Sequence, residues 1–425
     1  MSVVKIEKSI ASSAYYDVIV AGGGVAGVAA AVSARRHGKK VLLIEKYQKL
    51  GGLATTGIVN LFVPMCNGRG KQIIKGMAEE FLRLSIKYSY DNLDDIWKLG
   101  EPTGNIPQNP ARYRTRFSAE IFALVLTELI CNEGIEILFD TIVTEPVMNN
   151  GHCKGLIVEN KSGTSYYEAG IVVDVTGDSD ILYRAGVPTV QGHNYFTYYG
   201  QQITLETCKN AIESGNIQQA VKYIHGGTAN LYGKNHPNNM PYFTGTDCGD
   251  INKYIIENQL LLLNNIKSQD RFSRDIVTLP GMGQFRTTRR IQGDYTLNES
   301  DVYRHFDDSI AAICDFDRRD FLYEIPYRTM VCSEFDNLIT AGRTISAEGY
   351  AWDVTRVIPP AIITGQAAGI AAAMALDCNC PISKIDIADL QQHLSSESVM
   401  IHFDDNLIDK TVFGNSLAEN QEEIF

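Results

Sequence analysis

The sequence predicts an α/β protein in which a parallel β-sheet is covered by helices. Two apolar runs, at positions 16–21 and 41–45, have the composition of buried parallel strands. Between them lie a glycine-rich loop and a run of small residues that ends at Gly38, where a glycine is a favoured C-terminal cap. Strand, loop, helix and strand within about thirty residues form one βαβ unit.

The loop of this unit carries the pattern Gly-x-Gly-x-x-Gly at Gly22, Gly24 and Gly27. Gly22 permits a tight turn, Gly24 lets the backbone approach a pyrophosphate, and Gly27 lets the helix pack on the strand. Glu45 ends the second strand, at the position that accepts hydrogen bonds from a ribose diol and repels a 2′-phosphate. The pattern predicts a dinucleotide site that disfavours NADP, and it leaves NAD and FAD open.

Composition limits the classes of partner. The chain has 425 residues, 44% of them hydrophobic and 21% charged, with a net charge of -12. This is a soluble globular composition, and its acidic surface disfavours nucleic acid. The 9 cysteines are scattered, and only Cys378 and Cys380 are close in sequence. We expect reduced thiols in a cytoplasmic protein, with no metal site.

Two segments bear on membrane association. Positions 1–16 lack the apolar core of a signal peptide, and positions 357–376 are apolar and long enough to span a bilayer. The second segment contains Pro359, Pro360, Thr364 and Gln366. Because prolines suit the first turn of a helix, we predict a helix buried in the protein core and no membrane partner.

Further elements follow along the chain. Ser118 has the features of an N-cap for a helix that ends near Asn132, and strands are predicted within 135–148, 153–160 and 164–178. Arg112, Arg114 and Arg116 alternate, which on a strand places them on one face, and we expect that face to be solvated. Regular patterns are weaker from 186 to 333 and return with a buried strand near 337–343.

Three stretches decide between NAD and FAD. They are "GGLATTG" at 51–57, "VVDVTGDSDILYRAGVP" at 172–188, and "NLITAGRTISAEGYAWDVTRVIPPAIITGQAAGIAAA" at 337–373. They resemble the cofactor motifs of the glutathione-reductase-like superfamily of FAD flavoproteins, which have two dinucleotide-binding domains. Within it, "RTTRRIQGDYTL", "FDDSIA" and "YEIPYRTM" are similar to blocks of the broad FAD-dependent oxidoreductase family. The resemblance extends from Asp17 to Leu394.

The resemblance implies a Rossmann-like FAD-binding domain with a β-meander insertion and a smaller, mixed α+β substrate domain. Residues 1–185 and 334–400 would form the FAD-binding domain, residues 186–333 the substrate or cap domain, and residues 401–425 a polar tail. No second Gly-x-Gly-x-x-Gly follows a strand, which excludes a built-in NAD(P)H domain, and no redox-active cysteine pair is evident. The His-Thr dipeptide that resembles a covalent attachment signal is missing near Gly51 and Gly52, so noncovalent FAD is predicted.

The same motifs imply the residues that contact FAD. Gly51 and Gly52 offer a surface without side chains for the ribityl chain, Thr55 and Thr56 offer hydroxyls near the ring, and Val143 would meet adenine. The complete predicted set is Gly22, Gly24, Val25, Ala26, Gly27, Glu45, Lys46, Gly51, Gly52, Leu53, Thr55, Thr56, Val143, Thr176, Gly177, Asp178, Gly342, Arg343, Arg356, Val357 and Ala361.

The middle of the chain supplies the candidates for substrate chemistry. Arg286 heads a basic cluster with Arg289 and Arg290, and a guanidinium fork binds carboxylates well; surface salt bridges are the alternative for this cluster. His193 and Tyr198 are the candidate catalytic groups for moving a proton, although a structural role remains open for both.

Together these patterns predict an enzyme that transfers a hydride between noncovalent FAD and a small oxygenated substrate, polar or anionic, with a separate redox partner protein. The direction of transfer and the oligomeric state stay open, because one flavin serves oxidation and reduction alike. Two alternatives are an FAD-carrying subunit of an electron-transfer complex and a flavin-dependent RNA-modifying protein. The acidic charge disfavours the latter.

Overall fold

The structure is a computed structural model that describes residues 7–107 and 110–408. Its strands are β1 Ser12–Ala21, β2 Val41–Ile44, β3 Leu61–Phe62, β4 Thr115–Arg116, β5 Glu136–Leu138, β6 Ile142–Asn149, β7 His152–Asn160, β8 Gly163–Asp174, β9 Thr189–Gln191, β10 Thr197–Thr204, β11 Val221–Thr228, β12 Arg274–Thr278, β13 Arg289–Ile291, β14 Ser309–Cys314, β15 Leu322–Pro326 and β16 Leu338–Thr340. Its α-helices are α1 Val25–Arg36, α2 Met77–Ile86, α3 Ala119–Asn132, α4 Asp180–Arg184, α5 Leu205–Ser214, α6 Cys248–Lys267, α7 Gly349–Thr355, α8 Ile358–Cys378 and α9 Ile387–Ser396.

The main sheet has the order β5-β2-β1-β8-β7-β6, and β16 also pairs with β8. Parallel pairing joins β5 to β2, β2 to β1, β1 to β8, and β8 to β16. Antiparallel pairing joins β8 to β7 and β7 to β6, which forms a meander. The amino-terminal half of β8 pairs with β7, and its carboxyl-terminal half pairs with β16. The α/β fold and the predicted meander are therefore confirmed.

Helices α1 and α8 pack on each other beside this sheet, and the glycines of α8 lie where the two helices touch. Helix α8 is long and apolar enough to cross a membrane, but 78% of its apolar window is buried inside the protein. A side chain on Gly365 would overlap the carbonyl oxygen of Ala26, and one on Gly369 would overlap that of Ala30. The small residues of α8 thus bring two backbones into direct contact, as expected for a core helix.

Helix ends follow their sequence signals. The hydroxyl of Ser118 accepts a hydrogen bond from the backbone N–H of Ile121 at 3.4 Å, which caps α3. Pro359 and Pro360 lie in the first turn of α8, where a missing N–H leaves no helical hydrogen bond unmade. Gly38 follows the cap of α1 with φ +82°, a left-handed conformation that favours glycine.

A second, smaller core lies in the middle of the chain. Strands β11, β10 and β12 form an antiparallel sheet, and aromatic residues between it and α6 include Phe196, Tyr198 and Tyr254. We call residues 189–291 the cap. The β14-β15 hairpin, within the predicted 186–333 domain, instead contributes its apolar residues to the main core. The division of the chain into domains remains a prediction. In that division the β14-β15 hairpin belongs with the main sheet rather than with the cap.

Three sequence-based expectations need correction. Arg112 is only 5% exposed and donates hydrogen bonds to the carbonyl oxygens of Cys66, Asp315 and Phe316, so it does not lie on a solvated face. Cys378 and Cys380 form a disulfide rather than two free thiols, because α8 ends at Cys378 and the chain turns back there.

The third correction concerns the carboxyl-terminal segment. Ile401 and Phe403 are buried in the main core, and the carbonyl oxygen of Ile401 accepts a hydrogen bond from the Ser309 hydroxyl at 2.7 Å. Residues 401–408 therefore belong to the folded protein rather than to a polar tail. The remainder of the predicted tail, residues 409–425, lies outside the described residues.

Candidate active site

An elongated cavity of about 290 Å³ opens at the carboxyl ends of the parallel strands. Its walls come from the loop after β1, the end of β2, the turn after β8 and the loop after β16. Because parallel strands end together at one edge of a sheet, four segments that are distant in sequence meet here. This edge is where ligands bind in open α/β sheets.

The glycine loop is shaped for a ligand that approaches its backbone. Gly24 caps the amino terminus of α1, and no atom lies within 4 Å of the position that a Cβ would occupy there. Gly22 has φ +114°, which only glycine adopts readily, and a Cβ on Gly27 would overlap the carbonyl oxygen of Gly22. The loop therefore packs tightly at Gly22 and Gly27 and faces open space at Gly24.

Glu45 lies at the end of β2 and lines the cavity. Its carboxylate accepts hydrogen bonds from the backbone N–H of Gly23 at 2.5 Å and from that of Tyr47 at 2.8 Å. Burial raises the pKa of this carboxyl, and the two N–H donors oppose that shift. Each carboxylate oxygen has more than one acceptor site, so these bonds leave capacity for ligand hydroxyls.

The turn after β8 is organised by a buried carboxylate. Asp174 accepts hydrogen bonds from the backbone N–H groups of Thr176, Ile181 and Leu182 at 2.9–3.0 Å. Burial raises the pKa of Asp174 to about 6, and the hydrogen bonds from Leu182 and Thr176 oppose that shift. These bonds fix the turn that brings Gly177 to the cavity wall.

Arg343 ties this turn to the cap. Its guanidinium donates to the carbonyl oxygens of Gly177 and Phe285 and to the carboxylate of Asp178, the last two at 2.8 and 2.7 Å. Arg343 also lines the cavity. At the far end, α8 begins with no side-chain cap, and Ile358 and Ala361 of its first turn line the cavity. The partial positive charge of this helix terminus lies beside the ligand space.

A model of the family described as FAD dependent oxidoreductase matches residues 17–254 and 251–394. This chain belongs to that family. FAD is therefore its cofactor. The cavity at the strand ends has the position and the glycine loop expected of an FAD site.

Individual relatives match shorter segments. The chain is 26% identical over 181 residues to a digeranylgeranylglycerophospholipid reductase of Methanoculleus marisnigri, covering 41% of this chain and 42% of the relative. It is 35% identical over 81 residues to a thioredoxin reductase of Ureaplasma parvum serovar 3, covering 19% of this chain and 26% of the relative. The chain thus spans less than half the length of these curated relatives.

Several solved structures align over most of the chain. One of them is a geranylgeranyl bacteriochlorophyll reductase-like protein from Thermoplasma acidophilum, with 14% identity and a TM-score of 0.44. The alignment covers 92% of this chain and 94% of that chain.

The residues present fit FAD. The empty space at Gly24 is the space that a pyrophosphate requires, and Glu45 lies where the ribose diol is expected. Most residues that the sequence predicted as FAD contacts line the cavity: Gly22, Gly24, Val25, Ala26, Glu45, Lys46, Gly51, Gly52, Leu53, Val143, Thr176, Gly177, Gly342, Arg343, Arg356 and Ala361.

Five predicted contacts lie elsewhere. Gly27 packs on Gly22, Val357 caps α8, and Asp178 is bound to Arg343 and Thr288. Thr55 and Thr56 line a neighbouring pocket, in which the Thr56 hydroxyl is buried without a hydrogen-bond partner among the described residues.

A second cavity, of about 530 Å³, lies between the cap and α7. Three arginines line it: Arg286, Arg290 and Arg318. Arg290 has a carboxylate oxygen of Glu348 at 3.8 Å, and Arg318 has one of Glu299 at 3.3 Å.

Arg286 differs from the other two arginines because no carboxylate oxygen of the described residues lies within 4 Å of it. Its Nη1 donates to the carbonyl oxygen of Asn230 at 3.0 Å, and its backbone N–H donates to Oδ1 of Asn194 at 2.6 Å. Burial and the nearby Arg356 lower the pKa of Arg286. A half-buried cation without an ion pair favours an anionic ligand.

The two cavities are neighbours through α7. Asp353 lines the second cavity and forms an ion pair of 2.6 Å with Arg356, which lines the FAD cavity. Trp352, also in the second cavity, donates its indole N–H to the carbonyl oxygen of Arg343 at 2.7 Å. Arg286 lines the second cavity and is near enough to Arg356, a residue of the FAD cavity wall, for that charge to lower its pKa.

The candidate proton-transfer residues have different positions. His193 lines the second cavity, and its Nε2 lies 3.5 Å from the Tyr195 hydroxyl. Tyr198 is 1% exposed and packs inside the cap core, so its predicted catalytic role is not supported. Successive residues of β10 point to opposite faces of the strand. The hydroxyl of the next residue, Tyr199, therefore points away from the cap core and lies 3.5 Å from the carbonyl oxygen of Ile58.

Sequence reasoning missed several lining residues. Met282 comes from a loop whose Gly281 N–H donates to the carbonyl oxygen of Thr56 at 2.8 Å, which places that loop over the FAD cavity. The glycines of this loop, Gly281 and Gly283, were the only feature of the sequence that marked it. Tyr350 and Trp352 stand in a segment that the family resemblance covered, and nothing local indicated a second cavity there.

Proposed function

We propose that the protein is an oxidoreductase that transfers a hydride between noncovalently bound FAD and a small, oxygenated, anionic substrate held in the second cavity. The observation that carries this proposal is Arg286, a half-buried guanidinium that lines the second cavity and has no carboxylate oxygen of the described residues within 4 Å, although the charge of Asp353 acts on it. When bound, FAD supplies the capacity to accept or to donate a hydride.

The residues of the chain have separate tasks in this proposal. Arg286 holds a substrate carboxylate, and a planar guanidinium can do so with two bonds, which fixes orientation as well as position. Asn194 holds the backbone of Arg286, since its Oδ1 accepts from the N–H groups of Arg286 and Thr287. Trp352 forms an apolar wall that excludes water. Orientation matters because hydride transfer needs the reacting carbon at near-attack distance.

A proton must move with the hydride when an alcohol or a carbonyl reacts. His193 is the histidine that lines the second cavity, and an imidazole can both accept and donate a proton. Tyr195, adjacent to its ring, extends the path toward the cavity. We assign proton transfer to His193, with Tyr195 as the group that orients it.

A separate electron partner completes the turnover. The alternative of an FAD-carrying subunit without a substrate is less well supported, because a cavity of about 530 Å³ adjoins the FAD site. The RNA-modifying alternative is disfavoured by the net charge of -12.

The test is an anaerobic screen of small acids. In one direction, loss of flavin absorbance reports reduction of the flavin by hydroxy acids or unsaturated acids. In the other direction, oxo or enoate acids are added to the reduced flavin, and the return of absorbance reports its oxidation. Arg286→Ala and Arg286→Lys are compared with the parent. Because the lost bonds to a charged group amount to about 1.5–3 kcal/mol, half-saturation should rise about 10- to 150-fold in both variants.

Arg328→Ala is the matched control. Arg328 is an exposed arginine paired with Asp308 at 2.8 Å, and it lines neither cavity. All variants should release parental amounts of FAD on acid precipitation. If both Arg286 variants reduce flavin at the parental rate and half-saturate at the parental concentration, Arg286 does not bind substrate. Colour retained in the acid pellet would contradict noncovalent binding.

A further inference from the structure

A cluster of metal-ligating side chains lies apart from both cavities. His305, Glu324 and His402 each present one ligand atom, and these atoms lie within 4.8 Å of one another. Nδ1 of His305 is 2.6 Å from Oε1 of Glu324, and Nδ1 of His402 is 3.1 Å from Oε2 of the same carboxylate. None of the three residues lines the FAD cavity or the second cavity.

The carboxylate at the centre is fully buried. The Glu324 side chain is 0% exposed, whereas the imidazoles of His305 and His402 are 40% and 46% exposed. Its Oε2 also accepts the backbone N–H of Phe306 at 2.8 Å. No lysine or arginine nitrogen of the described residues lies within 4 Å of Glu324, and a positive charge beside a buried carboxylate offsets part of its desolvation.

A fourth residue orients one of the imidazoles. Nε2 of His305 lies 2.9 Å from Oδ1 of Asp405. A carboxylate at this nitrogen keeps a proton on Nε2, so Nδ1, which donates to Glu324 at 2.6 Å, is the nitrogen that would lose its proton and bind a metal ion. This is the outer-sphere arrangement that metal-binding histidines normally have.

We propose that His305, Glu324 and His402 form a surface site for a borderline divalent transition-metal ion such as Zn²⁺, with Asp405 as the positioning residue for His305. Two imidazole nitrogens and one carboxylate oxygen suit zinc better than calcium or magnesium, which prefer oxygen ligands. Water completes the coordination on the exposed side. The sequence predicted no metal site, because the three ligands come from distant positions.

The geometry requires only a small adjustment. A tetrahedral zinc with bonds of about 2.0–2.1 Å separates its ligand atoms by about 3.4 Å. The three ligand atoms lie within 4.8 Å of one another, so the cluster reaches this geometry when their separations change by less than about 1.5 Å. Both imidazoles are partly exposed, at 40% and 46%, so solvent lies on one side of each ring.

The ion would join three segments of the chain. His305 precedes β14, Glu324 lies in β15, and His402 and Asp405 belong to the carboxyl-terminal segment. The ring of Phe403 stacks on His305 with centroids 4.4 Å apart, which already brings these segments together. The ion would act as a clamp that holds the carboxyl-terminal segment on the β14-β15 hairpin.

The experiment is a calorimetric titration of the FAD-loaded, full-length protein with zinc chloride after treatment with a chelator. The parent should bind one zinc ion. The dissociation constant for zinc should be at least tenfold higher in His402→Gln. Asp405→Asn should weaken zinc binding about 10-fold, because it acts only through His305. His152→Gln, which changes an exposed histidine outside the cluster, is the control and should bind as the parent does.

Thermal unfolding separates metal binding from a folding defect. Zinc should raise the Tm of the parent and of His152→Gln but not that of His402→Gln, while the chelated forms of the three proteins should have similar Tm values. Equal zinc affinity of His402→Gln and His152→Gln would overturn the proposal, and so would a parent that binds no zinc. In both cases the cluster is a salt bridge between a protonated imidazole and Glu324.

Discussion

Glycines serve opposite purposes at the helix crossing and at the cofactor loop. At the crossing of α1 and α8, Gly365 and Gly369 are pressed against backbone carbonyl oxygens, and an added methyl group would overlap them. At the loop, Gly24 has no atom within 4 Å of the same position. The absence of a side chain therefore brings protein against protein in one region and leaves room for a ligand in the other.

This difference separates stability from cofactor binding. A substitution at the crossing should damage the fold whether FAD is present or not. A substitution at Gly24 should damage FAD binding and leave the apoprotein folded, because the backbone there has an ordinary φ of -64°.

The largest effect is expected for Gly365→Ala. Helix propensity alone would stabilise the protein by about 0.5–1 kcal/mol, but the overlap with Ala26 forces the helices apart. We expect a net loss of about 2–3 kcal/mol in the free energy of unfolding, measured by denaturant titration. Gly249→Ala, an exposed glycine of α6, is the control and should change stability by less than about 0.5 kcal/mol. Equal effects of the two changes would show that α1 and α8 do not touch at Gly365.

Gly24→Val is expected to separate the two functions of glycine. The branched side chain fills the space for the pyrophosphate, so the purified variant should be folded and free of FAD. Flavin absorbance and circular dichroism measure the two outcomes, and added FAD should no longer raise the Tm as it does for the parent. Full FAD occupancy in this variant would mean that the loop does not hold the phosphates.

The smallest effect is expected for Gly38→Ala. Gly38 contacts neither a ligand nor a packed neighbour, since no atom lies within 4 Å of its Cβ position, but its φ is +82°. A left-handed conformation costs an alanine about 1 kcal/mol, and Gly38→Asn should recover part of that loss. Thermal unfolding with unchanged FAD content is the measurement. A stability loss as large as that of Gly365→Ala would break the distinction between conformational and packing glycines.

Local patterns predicted the parts of the molecule that local physics determines. The strand before Gly22, the cap at Ser118 and the prolines of α8 each depend on a few consecutive residues, and all three were confirmed. The family motifs added the FAD cavity and most of its walls.

The remaining features depend on tertiary placement. Tyr198 and Tyr199 are chemically identical neighbours, and only the register of β10 decides which of them points into the cap core. Arg112 looked like a surface residue until distant carbonyl groups surrounded it. The second cavity and the cluster at Glu324 each combine side chains from separate parts of the chain, which no spacing in the sequence reveals.

The crossing of α1 and α8 also sets the order of events during synthesis. More than 300 residues separate the end of α1 at Arg36 from the start of α8 at Ile358. At about 5–20 residues per second, a ribosome needs about 15–60 s to make that stretch. Throughout this time α1, which is buried in the finished protein from Val25 to Ala34, lacks its partner. The surface of α1 that packs on α8 thus stays uncovered in the nascent chain until α8 has been made.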